Sequence, residues 1–156
     1  PVLCGFALVV LIGTKLRLYL IRGNHDERYL RDKDFDTSRF EWVKDYAEIH
    51  DNKRKIVLMH YPIFCYNGQF RRGADGTPLT YMLHGHIHKS ADQELMDRFC
   101  AETKATRRKS DHQEEALSVP CQMINCFCMY SDYTPLTLEE WIECDQKRRA
   151  QLCMRR

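Results

Sequence analysis

Thr80-Tyr81-Met82-Leu83-His84-Gly85-His86-Ile87-His88 is the stretch that decides how this chain folds. Residues 80–83 form a short β-favouring run that stops at a polar, glycine-containing loop, the pattern of a buried strand reaching its end. On extended backbone His86 and His88 alternate, so their imidazoles diverge, which suits two neighbouring metal ions better than one. Gly85 has no Cβ and lets the chain turn sharply there. One histidine alone reads as an ordinary core or surface residue. Three in five positions after an apolar strand read as metal ligands.

Two further runs end the same way. Residues 16–21 (LRLYLI) lead into Arg22 and then Gly23-Asn24-His25-Asp26. Residues 56–59 (IVLM) lead into His60-Tyr61-Pro62, where Pro62 cannot continue a central strand. Open α/β sheets build sites from groups at the carboxyl ends of neighbouring strands. Asn24 offers a side-chain oxygen to a metal, and Gly23 supplies the turn before it. His25 beside Asp26 is a candidate proton donor, because a carboxylate orients and charge-stabilises an imidazole. His60 has the matching strand-end position.

Elsewhere the pattern is less chemical. Ser38, with Glu41 three residues on, has capping-box spacing and predicts a helix over 38–46 with Phe40 and Val43 facing inward. Residues 47–59 read as a hairpin around Asp51-Asn52-Lys53-Arg54. Residues 68–78, with Gly68, Gly73 and Gly76, read as a long loop. A helical period over 91–104 places Leu95, Met96, Phe99 and Cys100 on one face. Residues 106–115 are a solvated helix end or mobile linker, within a linker region 104–118. A last strand region spans 119–130, and Thr137 with Glu140 opens a C-terminal helix.

A chain of 156 residues makes one domain, 1–156. A net charge of +2 is too balanced to argue for nucleic acid or an acidic surface as a partner, and nucleic acid is expected only as a substrate. Eight scattered cysteines without a C-x-x-C pair read as buried thiols of a reducing, cytoplasmic compartment. The apolar run 2–12 falls short of the roughly 20 residues of a membrane span, so it reads as a buried helix or strand and no membrane partner is expected. The chain begins at Pro1, and the expectation is that it starts partway into a longer ancestral domain. His50 is expected exposed near the hairpin turn, His84 to brace its loop by hydrogen bonds, and His112 to lie in the linker. Asp32, Asp34 and Asp36 read as a solvated loop, while Arg71 and Arg72 lie where a long loop could reach a substrate phosphate.

The order Gly23-Asn24-His25-Asp26, His60, then Gly85-His86-Ile87-His88 resembles the calcineurin-like metallophosphoesterases, in particular their small bacterial members. Ile124-Asn125-Cys126 and residues 132–140 look like the closing segment of the same enzymes. The resemblance implies an α/β protein, a four-layer α/β/β/α sandwich with its N-terminal strands missing. It implies that Asn24, His60 and His86 bind one divalent metal, that His88 belongs to a second, and that His25 with Asp26 protonates the leaving alkoxide. The implied activity is hydrolysis of a phosphomonoester or phosphodiester by a metal-bound hydroxide. Asp26 in place of a glutamate looks more like the phosphodiesterase and small-phosphatase branches.

The chain departs from that family in one respect. No aspartate is followed two residues later by histidine, no glycine is followed by aspartate, and the first 22 residues contain no acidic residue or histidine. The family's bridging aspartate, which fixes two metals at about 3.5–4 Å, is therefore lacking. The expectation is one weak site for manganese, iron or zinc and impaired turnover. The alternative is a non-catalytic, degenerate metal-binding or interaction domain; a third reading makes residues 1–11 foreign sequence. Lost strands would also expose a sheet edge and favour self-association.

Overall fold

Isoleucine, valine, leucine and methionine in unbroken succession at 56–59 are what a strand needs when both its faces are covered. In the computed structural model, which describes residues 2–4, 7–12, 15–109 and 115–153, they lie at the centre of a four-stranded sheet. One sheet holds β1 (Val2–Cys4), β2 (Ala7–Ile12), β3 (Lys15–Ile21) and β4 (Phe40–Lys44), in that order. The other runs β10 (Met123–Asn125), β7 (Thr80–His84), β6 (Arg54–Met59) and β5 (Tyr46–Asp51). A two-stranded ladder joins β8 (Arg107–Arg108) to β9 (Leu117–Ser118). The helices are α1 (Glu27–Leu30), α2 (Ala91–Ala105) and α3 (Leu138–Cys153). The chain is a mixed α/β protein.

Register explains the core. Ile56 pairs with Tyr81 and Leu58 with Leu83 across parallel β6 and β7, and Leu83 with Ile124 across parallel β7 and β10. Because side chains alternate, these five residues share one face. They cluster with Ile21, Tyr19 and Trp42 of the first sheet and with Leu138 and Trp141 of α3. The opposite face carries Val57, Met82 and Met123, which pack with Met96 and Cys100 of α2 and with Tyr66 and Ile87. One sheet thus serves two cores, which is why its central strands read as continuous apolar runs.

The turns follow their chemistry. Antiparallel β5 and β6 close through Asn52 and Lys53, both at positive φ (48° and 66°), the twist that matches a tight hairpin. In the 68–78 loop Gly68 and Gly76 take φ of +76° and +82°, and buried Tyr66 anchors its start by donating to the Gln122 carbonyl at 2.9 Å. Thr137 and Glu140 form the expected reciprocal cap on α3: the Thr137 N–H donates to Glu140 Oε2 at 2.7 Å, and the Glu140 N–H to Thr137 Oγ1 at 3.3 Å.

The helix expected over 38–46 is replaced by a 3-10 turn, Thr37–Arg39, and strand β4. The Asp36 carboxylate takes the Ser38 N–H at 3.0 Å, so Asp36 rather than Ser38 is the cap. Phe, Trp and Val favour the pleated state once a partner is present, and β3 provides it: Tyr19 pairs with Trp42 and Leu20 with Val43. Phe40 and Val43 share a helical face but not a strand face. Accordingly Val43 is 36% exposed, and Trp42 packs on Tyr19 at 5.1 Å between ring centroids. The region 119–130 contributes only β10 before a 3-10 turn at Cys128–Ser131. The expected linker is ordered at both ends by β8 and β9; residues 110–114, with His112, lie outside the described residues, as do the side chains of residues 1–16. His50 is exposed. Among the described residues no helix is long and apolar enough to cross a membrane.

A charged network fastens α3 to α2. Arg148 Nη1 and Nη2 donate to Asp97 Oδ2 and Oδ1 at 2.6 and 2.8 Å, and Arg148 Nη2 also reaches Asp145 Oδ1 at 2.8 Å. Arg149 donates from Nε to Asp145 Oδ2 at 2.6 Å and from Nη2 to the Met123 carbonyl at 2.8 Å. Burial pushes the Asp97 carboxyl up, but hydrogen bonds from Arg148 and the charges of Arg149 and Arg148 hold it below 3.8. A carboxyl depressed on folding stabilises the protein above its unfolded pKa, and that stability is lost as pH falls through the folded value. Asp97→Asn removes one of the two carboxylates from a pair of part-buried guanidiniums that keep Asp145, and should cost about 1.5–3 kcal/mol near neutral pH. The loss should shrink as pH falls through the folded carboxyl's value, which lies under the ordinary aspartate range; urea unfolding at neutral and at strongly acid pH reads both.

Candidate metal centre

Three strand ends meet. Past β3 the backbone keeps pairing through Arg22 N–H to the Lys44 carbonyl at 2.8 Å, then turns at Gly23. The Gly23 N–H donates to Asp26 Oδ2 at 2.6 Å, closing the 23–26 loop on itself. A Cβ at Gly23 would lie 2.8 Å from His60 Cε1 and 2.9 Å from Nδ1, so only glycine lets this loop rest against the imidazole at the end of β6. His60 is 5% exposed. Its carbonyl accepts the Gly85 N–H at 3.0 Å, which draws the loop after β7 alongside.

That loop is bent, not extended as the alternation argument assumed. The Ile87 N–H donates to the Gly85 carbonyl at 2.8 Å across a γ-turn centred on His86, whose φ is +64°; His88 follows at +47°. Left-handed backbone costs a non-glycine residue about 1 kcal/mol or more, so the surroundings must impose it. Ile87, 8% exposed, is driven into the core between the two histidines. The Asn125 amide donates to the His88 carbonyl at 2.9 Å and to Gln93 Oε1 at 2.6 Å, and the Gln93 amide donates to Asp97 Oδ1 at 3.0 Å. Ser90 Oγ caps the Ile87 carbonyl at 2.5 Å. His84, buried at the end of β7, contacts the Gly85 carbonyl through Nδ1 at 3.1 Å, and burial pushes its pKa down to about 4. His84 is thus a neutral brace of the loop, as expected.

The result is a triangle of donor atoms. His60 Nε2 lies 2.7 Å from Asn24 Oδ1, His86 Nδ1 lies 3.1 Å from the same oxygen, and the two ring nitrogens are 3.2 Å apart. Neighbouring ligands of a zinc-sized ion, with bonds near 2.0–2.2 Å, sit about 3.0–3.4 Å from one another. The two separations from His86, 3.1 and 3.2 Å, match that spacing, whereas the 2.7 Å between His60 Nε2 and Asn24 Oδ1 is a hydrogen-bond distance that opens by a few tenths of an ångström when an ion enters. Burial foremost, then the neighbouring His86, lowers the His60 pKa and keeps its ring in the neutral form that binds metal.

The remaining residues stand around this trio. His88 stacks on Phe127, centroids 4.6 Å apart and planes at 17°, and close enough to act on His60 electrostatically. His25 is exposed and also within electrostatic reach of His60. Asp26 accepts from Gly23 N–H and from the Tyr29 hydroxyl, so its carboxylate serves its own loop. Among the described residues no group of three or more His, Cys, Asp or Glu side chains gathers at a point; the trio has two such groups plus Asn24. Arg71 and Arg72 belong to a self-contained loop, Arg72 bridged to Pro78 and Arg71 lying over Gly68.

Four supporting residues have site roles that the sequence did not assign. Tyr61 lays its ring 4.5 Å from His86 and 4.9 Å from His60, Phe127 backs His88, and Asn125 with Gln93 holds the His88 backbone. Asn125 carried a signal: like Asn24 and His60 it is a polar residue closing an apolar run, here 123–124. Comparison with known proteins returned no matching family model, no matching curated protein and no matching solved structure.

Gly23→Ala tests the packing that assembles the trio. The added methyl should displace the His60 ring and weaken zinc or manganese binding at least about 10-fold by calorimetry, with the far-UV spectrum unchanged. Unaltered affinity would mean that His60 and the 23–26 loop do not hold metal together.

Proposed function

We propose that this chain is a metal-dependent phosphoric-ester hydrolase domain with a calcineurin-like arrangement of two sheets. The convergence of Asn24 Oδ1, His60 Nε2 and His86 Nδ1 within 2.7–3.2 Å, from the ends of β3, β6 and β7, carries the reading. Asn24, His60 and His86 hold one divalent ion, and His88 belongs to a second. A divalent ion supplies Lewis acidity to a phosphoryl oxygen and acidifies water. The chain's own groups do the rest. Burial keeps His60 neutral, the γ-turn aims His86, and exposed His25 delivers a proton to the departing alkoxide. Asp26 fixes the loop that carries both Asn24 and His25.

A second reading rests on one observation: the donor trio is uncharged, and the nearest carboxylate, Asp26, is spent on Gly23 and Tyr29. On that reading the domain binds metal without turning substrate over.

Release of nitrophenolate from nitrophenyl phosphate and bis(nitrophenyl) phosphate, with manganese or zinc, separates the two. Hydrolysis should require metal and fall to background in His86→Ala, whereas His25→Ala should keep metal affinity and lose about 10²–10⁴ in rate. Stoichiometric metal without hydrolysis of either ester selects the non-catalytic reading. Absence of both binding and hydrolysis overturns both readings.

A further inference from the structure

The second core contains chemistry that the metal site does not use. Cys100 on α2 and Cys121, two residues before β10, are 21 positions apart yet place their sulfurs 3.7 Å from each other. Both are buried, 7% and 4% exposed. An apolar pocket would leave two such thiols inert, but this one is furnished with donors. The Cys121 N–H donates to Thr103 Oγ1 at 3.1 Å, and the Thr103 hydroxyl donates to the Cys100 carbonyl at 2.8 Å while lying 3.4 Å from the Cys121 sulfur. The buried Gln69 amide, which donates to the Phe64 carbonyl at 3.0 Å, lies close enough to act on Cys121, and the Arg149 guanidinium, held on the Met123 carbonyl at 2.8 Å, acts on both sulfurs. The Cys100 thiol foremost, then Thr103, Gln69 and Arg149, favour a thiolate on Cys121 against the opposing effect of burial, while Cys100 is held protonated.

We propose that Cys100 and Cys121 form a peroxide-reactive dithiol, an oxidation site that closes to a disulfide linking α2 to the approach of β10. The Cys121 thiolate attacks one oxygen of a hydroperoxide; the O–O bond breaks, the departing oxygen takes a proton as water or alcohol, and Cys121 becomes a sulfenic acid. The Cys100 thiol then attacks that sulfur, the S–O bond breaks, and the hydroxide leaves with the Cys100 proton as water. Two thiols are oxidised and one peroxide is reduced. The sulfurs must close from 3.7 Å to about 2.05 Å for the bond to form. Ile87, the anchor of the γ-turn, belongs to the same core cluster as both cysteines, so the bond forms in the core that also holds the loop bearing His86. The dithiol is separate from the Asn24–His60–His86 trio, and its chemistry stands whether or not that trio hydrolyses an ester.

The test is a hydrogen peroxide titration of the intact, folded chain, followed by denaturation, alkylation and peptide mapping. The expected result is a mass about 2 Da lower, two fewer alkylated thiols and a Cys100–Cys121 cross-link that dithiothreitol reverses. Cys100→Ser should stop at a sulfenic acid on Cys121 that a dimedone probe captures, and Cys121→Ser should leave Cys100 fully alkylated. Exposed Cys65 is the internal control. If Cys100 and Cys121 both stay alkylatable at peroxide levels that oxidise Cys65, or cross-link elsewhere, the proposal is overturned. Mapping of the wild-type chain decides this even should a serine variant fail to fold.

Discussion

The contact between Gly23 and the His60 ring is the constraint on which the rest of this molecule turns. It is the point where the exit of β3, in one sheet, touches the exit of β6, in the other, with no room for a methyl group between them. Everything polar at this end is arranged around it. Asn24 is brought to His60 because Gly23 lies flat against the imidazole, and His86 reaches both because the His60 carbonyl takes the Gly85 N–H. The apolar cluster of Ile21, Ile56, Leu58 and Trp42 aligns the sheets; the glycine sets how closely their loops approach.

Strain is placed where it is held. His86 and His88 both adopt left-handed backbone, a conformation that neither would keep in isolation. A buried isoleucine between them, a serine hydroxyl on one carbonyl and an asparagine amide on another impose it. Function-bearing loops are commonly built this way, on rigid elements with the cost met by packing.

Much of this was legible in the residues. The runs at 16–21, 56–59 and 80–83 announced buried strands ending in polar loops because apolar continuity and a stop signal are local properties. The hairpin at Asn52-Lys53 and the Thr137–Glu140 cap were legible for the same reason. β4 was not: residues 38–46 satisfy a helical template, and the parallel partner that makes them a strand lies some twenty residues upstream in β3. The bent path of 84–88 was hidden too, since alternation says nothing about the sign of φ. The proximity of Cys100 to Cys121 arises only from α2 docking beside β10, so the thiols looked scattered.

One thread of the architecture has a mechanical meaning. From the His88 carbonyl, contacts pass through Asn125, Gln93 and Asp97 to Arg148, in the second half of α3. Single helices open at a fraction of the free energy that a whole domain requires. The polar relay therefore makes α3 a tensioner of the histidine loop, so that slack introduced at Arg148 is felt at His88 while the hydrogen bonds of both sheets stay untouched.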